Sequence, residues 1–313
     1  MVRTMATTDG LETRRLGVFL AVAFGVAWAT AAAVWWTGGL AGSPALLPGV
    51  TLALVLVAGP YMYAPALGNL AARGLTGEGW TGARLRPHLR ATWPSFLVAW
   101  LVPVALVVLG AALYFLAFPA EFGGLAAVRD LLTGLGVAGQ LSPAAFLAIE
   151  LGQVLVVAPL VNSLFTFGEE FGWRGYLLPK LLPLGTRRAL VLHGLIWGVW
   201  HWPIIAMGHN YGLGYPGAPW AGMVVMAAFT VVVGVFLGWL TLRSGSVWPA
   251  TVAHAMVNGS AGLGILFVVG SPRLLFGPTA VGLVGMLPWA VVAVWLLARP
   301  AWLAPSRFER SPA

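Results

Sequence analysis

The sequence predicts an all-α fold, a polytopic membrane helix bundle with about eight transmembrane helices, and three observations predict it. Of the 313 residues 59% are apolar and only 8% charged, where an average soluble domain has roughly 25% charged. Mean hydropathy over the whole chain is +0.89, so the apolar material is not confined to one anchor. The 41 glycines and 22 prolines punctuate long apolar runs rather than polar ones, which excludes a disordered chain. Cysteine is absent, which excludes disulfides, thiolate metal sites and a cysteine nucleophile. The formal charge of +8 does not indicate nucleic acid as a partner, because the basic residues lie in short inter-segment stretches without an aromatic-interleaved patch.

The runs follow in order. The first, 16–36, comes after Arg14-Arg15 and is longer than the apolar region of a signal peptide, so it is a retained helix. The second and third, 48–70 and 93–118, flank a charged stretch at 71–92. The fourth, 143–168, runs into Gly168-Glu169-Glu170-Phe171-Gly172-Trp173-Arg174. The fifth, 189–207, carries His193, Trp197 and His201 ahead of Trp202-Pro203. The sixth, 220–242, contains Gly234 and Gly238, a spacing suited to close helix packing. The seventh, 246–269, carries Thr251, His254 and Asn258, and the eighth is 276–298. Each is near the roughly 20 residues that cover a 30 Å hydrocarbon layer at 1.5 Å per residue.

Eight crossings place Arg3, Arg14, Arg15, Arg73, Arg84, Arg86, Arg90, Arg174, Lys180, Arg187, Arg188, Arg243, Arg299, Arg307 and Arg310 on one side, 15 of the 17 basic residues, and leave Arg129 and Arg273 on the other. The positive-inside rule makes the first side cytoplasmic. The expected organisation is a cytoplasmic leader at 1–15, one membrane domain at 16–298 and a cytoplasmic tail at 299–313, in the cell membrane with both termini inside. No internal repeat of the transporter kind is found, which weakens a solute-transport reading.

Ionisable groups at membrane depth cost about 2.5–3.5 kcal/mol each on insertion scales and therefore mark function. Glu170 and Arg174 are one helical turn apart and suited to a fixed ion pair, while Glu169 lies about 100° round the helix, free to act on water. Trp197 and His201 repeat the four-residue spacing, as does His193 before them, and so do His254 and Asn258. Counted at 1.5 Å per residue, Glu169, His201 and His254 lie about 15–20 Å from the nearest cytoplasmic marker, so the three can meet. A carboxylate to activate water, imidazoles to move its proton, and donors for an oxyanion form a hydrolytic set. A second assignment makes Glu169, His201 and His254 ligands of a catalytic zinc with an open fourth position. Both stand open at this level, and no cofactor beyond a possible zinc is expected. Glu150 reads as an outer-interface charge, and Asn162 completes the inventory of polar residues within the runs.

These residues resemble the CPBP family of intramembrane proteases, also called Abi or type II CAAX prenyl endopeptidases. Glu169-Glu170-Phe171-Gly172-Trp173-Arg174 matches its EExxxR motif. Trp197-Gly198-Val199-Trp200-His201 matches FxxxH with tryptophan in place of phenylalanine, and His254-Ala255-Met256-Val257-Asn258 matches HxxxN. The similarity covers about residues 150–260. It implies an eight-helix intramembrane endopeptidase, with Glu169 and His201 activating water, His254 and Asn258 stabilising the oxyanion, and Glu170 and Arg174 in support. The active site is expected to open toward the cytoplasmic half of the bilayer onto a peptide or protein substrate. The alternative is a catalytically silent membrane scaffold, a bacteriocin-immunity or partner-regulating protein of the same fold.

Overall fold

The computed structural model describes residues 10–80 and 82–304. Arg3, Arg307 and Arg310, with most of the 1–15 leader and the 299–313 tail, lie outside the described residues. The architecture is a helical membrane bundle whose only regular strand pairing among the described residues is a short antiparallel hairpin, Ala45–Leu47 with Val50–Thr51. Helices dominate because a lipid-embedded backbone must satisfy its own hydrogen bonds.

In chain order the helices are α1 (Thr13–Trp36), α2 (Leu52–Thr76), α3 (Leu89–Ala117), α4 (Gly124–Gly134), α5 (Pro143–Leu184), α6 (Thr186–Trp200), α7 (Trp202–Ala206), α8 (Trp220–Ser244), α9 (Trp248–Phe267) and α10 (Leu287–Ala298). Six of these, α1, α2, α3, α5, α8 and α9, are long and apolar enough to cross a membrane. The expectation of eight is corrected to about six, and the reason is local chemistry. In the fifth run, α6 ends after 15 residues and the chain turns at His201, with Pro203 opening the five-residue α7. Proline lacks a backbone N–H and fits only the first turn of a helix. In the eighth run, residues 276–286 fold as turns and only the 12 residues of α10 are helical.

Two glycines let helices approach where the site is built. A Cβ on Gly168 of α5 would lie 2.8 Å from the Met62 carbonyl oxygen of α2, and one on Gly198 of α6 would lie 2.6 Å from the Ala227 Cα of α8. Any larger residue therefore separates these pairs. Helices α5 and α9 are also joined by hydrogen bonds from Thr166 Oγ1 to the Thr251 carbonyl (3.0 Å) and from Asn162 Nδ2 to the Ala255 carbonyl (3.4 Å).

The charged connections gather at one end of the bundle. Lys180 Nζ bonds both Glu12 and Glu78 at 2.7 Å, and Arg15 pairs with Glu12 and, at 3.4 Å, with Glu78. Val247 N donates to the Arg84 carbonyl (3.0 Å) and Trp248 Nε1 to the Leu85 carbonyl (2.7 Å). The start of α1, the α2–α3 connection, the end of α5 and the α8–α9 connection thus share one basic face. At the other end Arg273 pairs with Glu121 at 3.3 Å.

Candidate active site

A cavity of about 300 Å³ lies among α2, α5, α6, α8 and α9. Its polar lining includes Glu169, His201, His254 and Asn258, the four side chains singled out above, although they lie on three separate segments of chain. Glu169, His201 and His254 are buried, while Asn258 is exposed and stands at the open edge. A larger concavity of about 420 Å³ lies on the basic face beside Arg187 and Arg188, but no carboxylate or imidazole lines it.

Consecutive glutamates take different partners because they point to different sides of α5. Glu169 Oε2 accepts a hydrogen bond from Trp197 Nε1 at 2.7 Å. Glu170 Oε1 accepts from Arg174 Nη1 at 2.7 Å and from His254 Nδ1 at 2.8 Å, with Glu170 and Arg174 fully buried. A turn of π-helix, Trp173–Leu177, follows immediately and contains Arg174; such single wide turns recur at functional sites. The Arg174 guanidinium also lies 4.2 Å from the centre of the Trp197 ring, and the His254 ring stands edge-on to the same indole at 5.3 Å. Glu169, Arg174 and the His201 and His254 rings are therefore organised around Trp197, with Glu170 bonded to Arg174 and His254 behind them.

The turn that ends α6 sets His201. Its Nδ1 lies 2.9 Å from the Trp197 carbonyl oxygen, which only accepts, so Nδ1 carries the proton and Nε2 keeps a lone pair in the neutral ring. The same turn takes the Trp200 carbonyl out of the helical ladder. Tyr61 OH (2.7 Å) and Trp28 Nε1 (3.3 Å) donate to it instead. Tyr61 sits in another π-turn, Val57–Tyr61, and packs at a tilt of 47° against Trp200 with ring centres 4.3 Å apart.

Not every expected residue meets the cavity. His193 is buried away from it, edge-on to Trp173 at 6.3 Å. A Cβ on Gly234 would touch both Arg174 Nη2 and His193 Nδ1, at 3.7 and 3.9 Å, so His193 stands behind Arg174 and not behind His201. Glu150, expected at the outer interface rather than in the site, does not line the cavity either. The zinc assignment does not fit the donors as they stand: among the described residues no three His, Asp or Glu side chains are grouped to hold a metal ion.

Other lining residues carry no signal in the sequence. Tyr61 and Trp200 read there as ordinary apolar-run aromatics, and His209 and Asn210 as loop residues. Asn210 adopts a left-handed backbone, φ +66°, and Tyr211 OH ties this loop to the Val281 carbonyl at 2.9 Å. His209, Asn210, Ala261 and Val281 complete the cavity wall at the end of the bundle remote from the basic face. Counting residues gives depth, but it does not reveal which helix ends a loop closes over.

Fold and site together define a multi-pass membrane protein with a buried carboxylate–imidazole cavity enclosed by its helices. Residues 144–260 match the family model described as type II CAAX prenyl endopeptidase Rce1-like. The chain is also 26% identical over 123 residues to CAAX prenyl protease 2 of Methanococcus maripaludis, a match covering 34% of this chain and 45% of that relative. The chain therefore aligns with less than half the length of this curated relative. Both matches are to CAAX prenyl proteases, and residues 144–260 contain the three motifs, which supports the likeness to the CPBP family.

Proposed function

We propose that the protein is an intramembrane endopeptidase that hydrolyses a peptide bond with a water activated by Glu169. The observation that carries this reading is the convergence of Glu169, His201, His254 and Asn258 on one cavity. A water held between Glu169 and His201 Nε2 attacks the scissile carbonyl carbon. Its proton passes to this pair and then to the departing amine. His254, oriented by the bond from its Nδ1 to Glu170, and the Asn258 amide are the donors to the oxyanion. No protein nucleophile or covalent intermediate is required.

The substrate class follows the name of the curated relative: a protein or peptide with a prenylated cysteine near its C-terminus. The apolar wall of Val57, Met62, Ile204, Met226, Phe229 and Val257 suits a lipid-bearing or apolar chain. By the positive-inside rule the basic face is the cytoplasmic one, and our reading places the protein in the cell membrane. The test uses the purified chain in lipid nanodiscs and an internally quenched peptide carrying S-farnesyl cysteine four residues from its C-terminus. Glu169→Gln is expected to lose about 10²–10⁴-fold in cleavage rate while unfolding at the wild-type temperature. Cleavage at the wild-type rate by this variant refutes the mechanism, and a wild-type chain that cuts no peptide favours the silent-scaffold alternative.

A further inference from the structure

We infer that Trp197 is a positioning residue: its indole N–H holds the Glu169 carboxylate in the orientation that activates water, a contact that phenylalanine cannot make. This rests on the reading of Glu169 as the activating group. The related motif has phenylalanine at this position, and an aromatic body alone would explain packing against His201 and His254. Packing does not explain the 2.7 Å bond from Trp197 Nε1 to Glu169 Oε2.

The surroundings make this bond a directed one. Trp197 is buried, and its ring is gripped on one face by the Arg174 guanidinium at 4.2 Å. Arg174 is itself fixed by Glu170 at 2.7 Å. The indole therefore has little freedom to rotate, and its N–H is a preset donor. A cation over the ring face draws electron density from the indole and strengthens the N–H as a donor. The geometry resolves a conflict built into the site. A buried carboxylate needs a partner, yet a direct ion pair would tie up the lone pairs that must take a proton from water. Trp197 supplies a neutral donor to one oxygen, and Arg174 acts on Glu169 through the ring while its own hydrogen bond goes to Glu170. The tryptophan is also anchored in the same helix as His201, whose Nδ1 donates to the Trp197 backbone carbonyl at 2.9 Å. One residue thus orients Glu169 with its side chain and His201 with its backbone.

The test is Trp197→Phe, which keeps an aromatic ring under Arg174 and deletes only the N–H donor. With the farnesylated quenched peptide, kcat is expected to fall about 10- to 100-fold with KM changed less than about threefold, as for loss of a charge-assisted hydrogen bond that orients a reacting group. A purely structural role predicts kcat within twofold of wild type, since the variant restores the family pattern, and that result overturns the inference. Ultraviolet resonance Raman spectra read the contact whether or not the peptide is cut. The wild-type minus Trp197→Phe difference should show a hydrogen-bonded indole N–H, and the same difference in a Glu169→Leu background should show a free one; identical differences overturn the inference. Glu169→Gln separates the two readings. If it is inactive while Trp197→Phe is unaffected, positioning fails and the endopeptidase reading stands. If Glu169→Gln cleaves normally, both fail.

Discussion

Replacing Arg174 by leucine removes one partner from an ion pair with no solvent access. The guanidinium and the Glu170 carboxylate are both fully buried and 2.7 Å apart, and the carboxylate has one other hydrogen-bond partner, His254 Nδ1. An ordinary interhelical polar contact in a membrane protein averages about 0.6 kcal/mol. Here the larger effect wins, because the leucine leaves a carboxylate buried without its cation, and breaking a buried pair in this way costs about 3–5 kcal/mol. The lost guanidinium–indole contact adds about 2 kcal/mol if fully desolvated. Removing both charges, in Glu170→Leu/Arg174→Leu, leaves no unpaired ion from this couple and only His254 Nδ1 without its acceptor, so the double variant should be about 2 kcal/mol more stable than the single. Reversible unfolding in mixed dodecylmaltoside and dodecyl sulfate micelles, followed through the fluorescence of the chain's 16 tryptophans, measures each value. An Arg174→Leu loss under about 1 kcal/mol, or a double variant no more stable than the single, would refute the view that these charges are mutually dependent.

Two further outcomes are expected. Burial pushes the His209 imidazole below its ordinary value of 6.5, so the unfolded chain takes up a proton that the folded protein resists. The stability at stake is present above about pH 6.5 and declines as the pH falls below it. In the same micelle assay His209→Gln should flatten this acid-side decline, and an unchanged pH profile counts against the assignment. Because the chain has no cysteine, a single one introduced at Glu78 or at Gly214 can report sidedness in whole cells. A membrane-impermeant maleimide should label the Gly214 site and spare the Glu78 site, and the reverse pattern inverts the orientation.

Much of this architecture is legible before folding is considered. The apolar run lengths and the clustering of arginines identify a multi-pass helical protein, and the four-residue spacings of Glu170–Arg174 and His254–Asn258 put their members on common helix faces. The count of crossings was overestimated because hydropathy does not register backbone continuity. Residues 189–207 are apolar throughout, yet the turn at His201 divides them, and the apolar stretch 276–286 is coiled rather than helical. His209 and Asn210 were passed over because a loop residue carries no periodicity, and its distance from Glu169 along the chain gives no hint of their meeting at one cavity.

The chain alone determined which residues are too polar to be idle in lipid and which helix each would ride on, since transfer cost and the 3.6-residue repeat are properties of local sequence. Tertiary structure decided which glutamate faces which partner. Glu170 is shared by Arg174 and His254, Glu169 is met by the Trp197 N–H, and His193 is drawn away behind Arg174. Those choices depend on how closely helices approach at glycines such as Gly168 and Gly198 and on the turn after Trp200. Packing between segments distant in the chain sets both, and no local pattern encodes them.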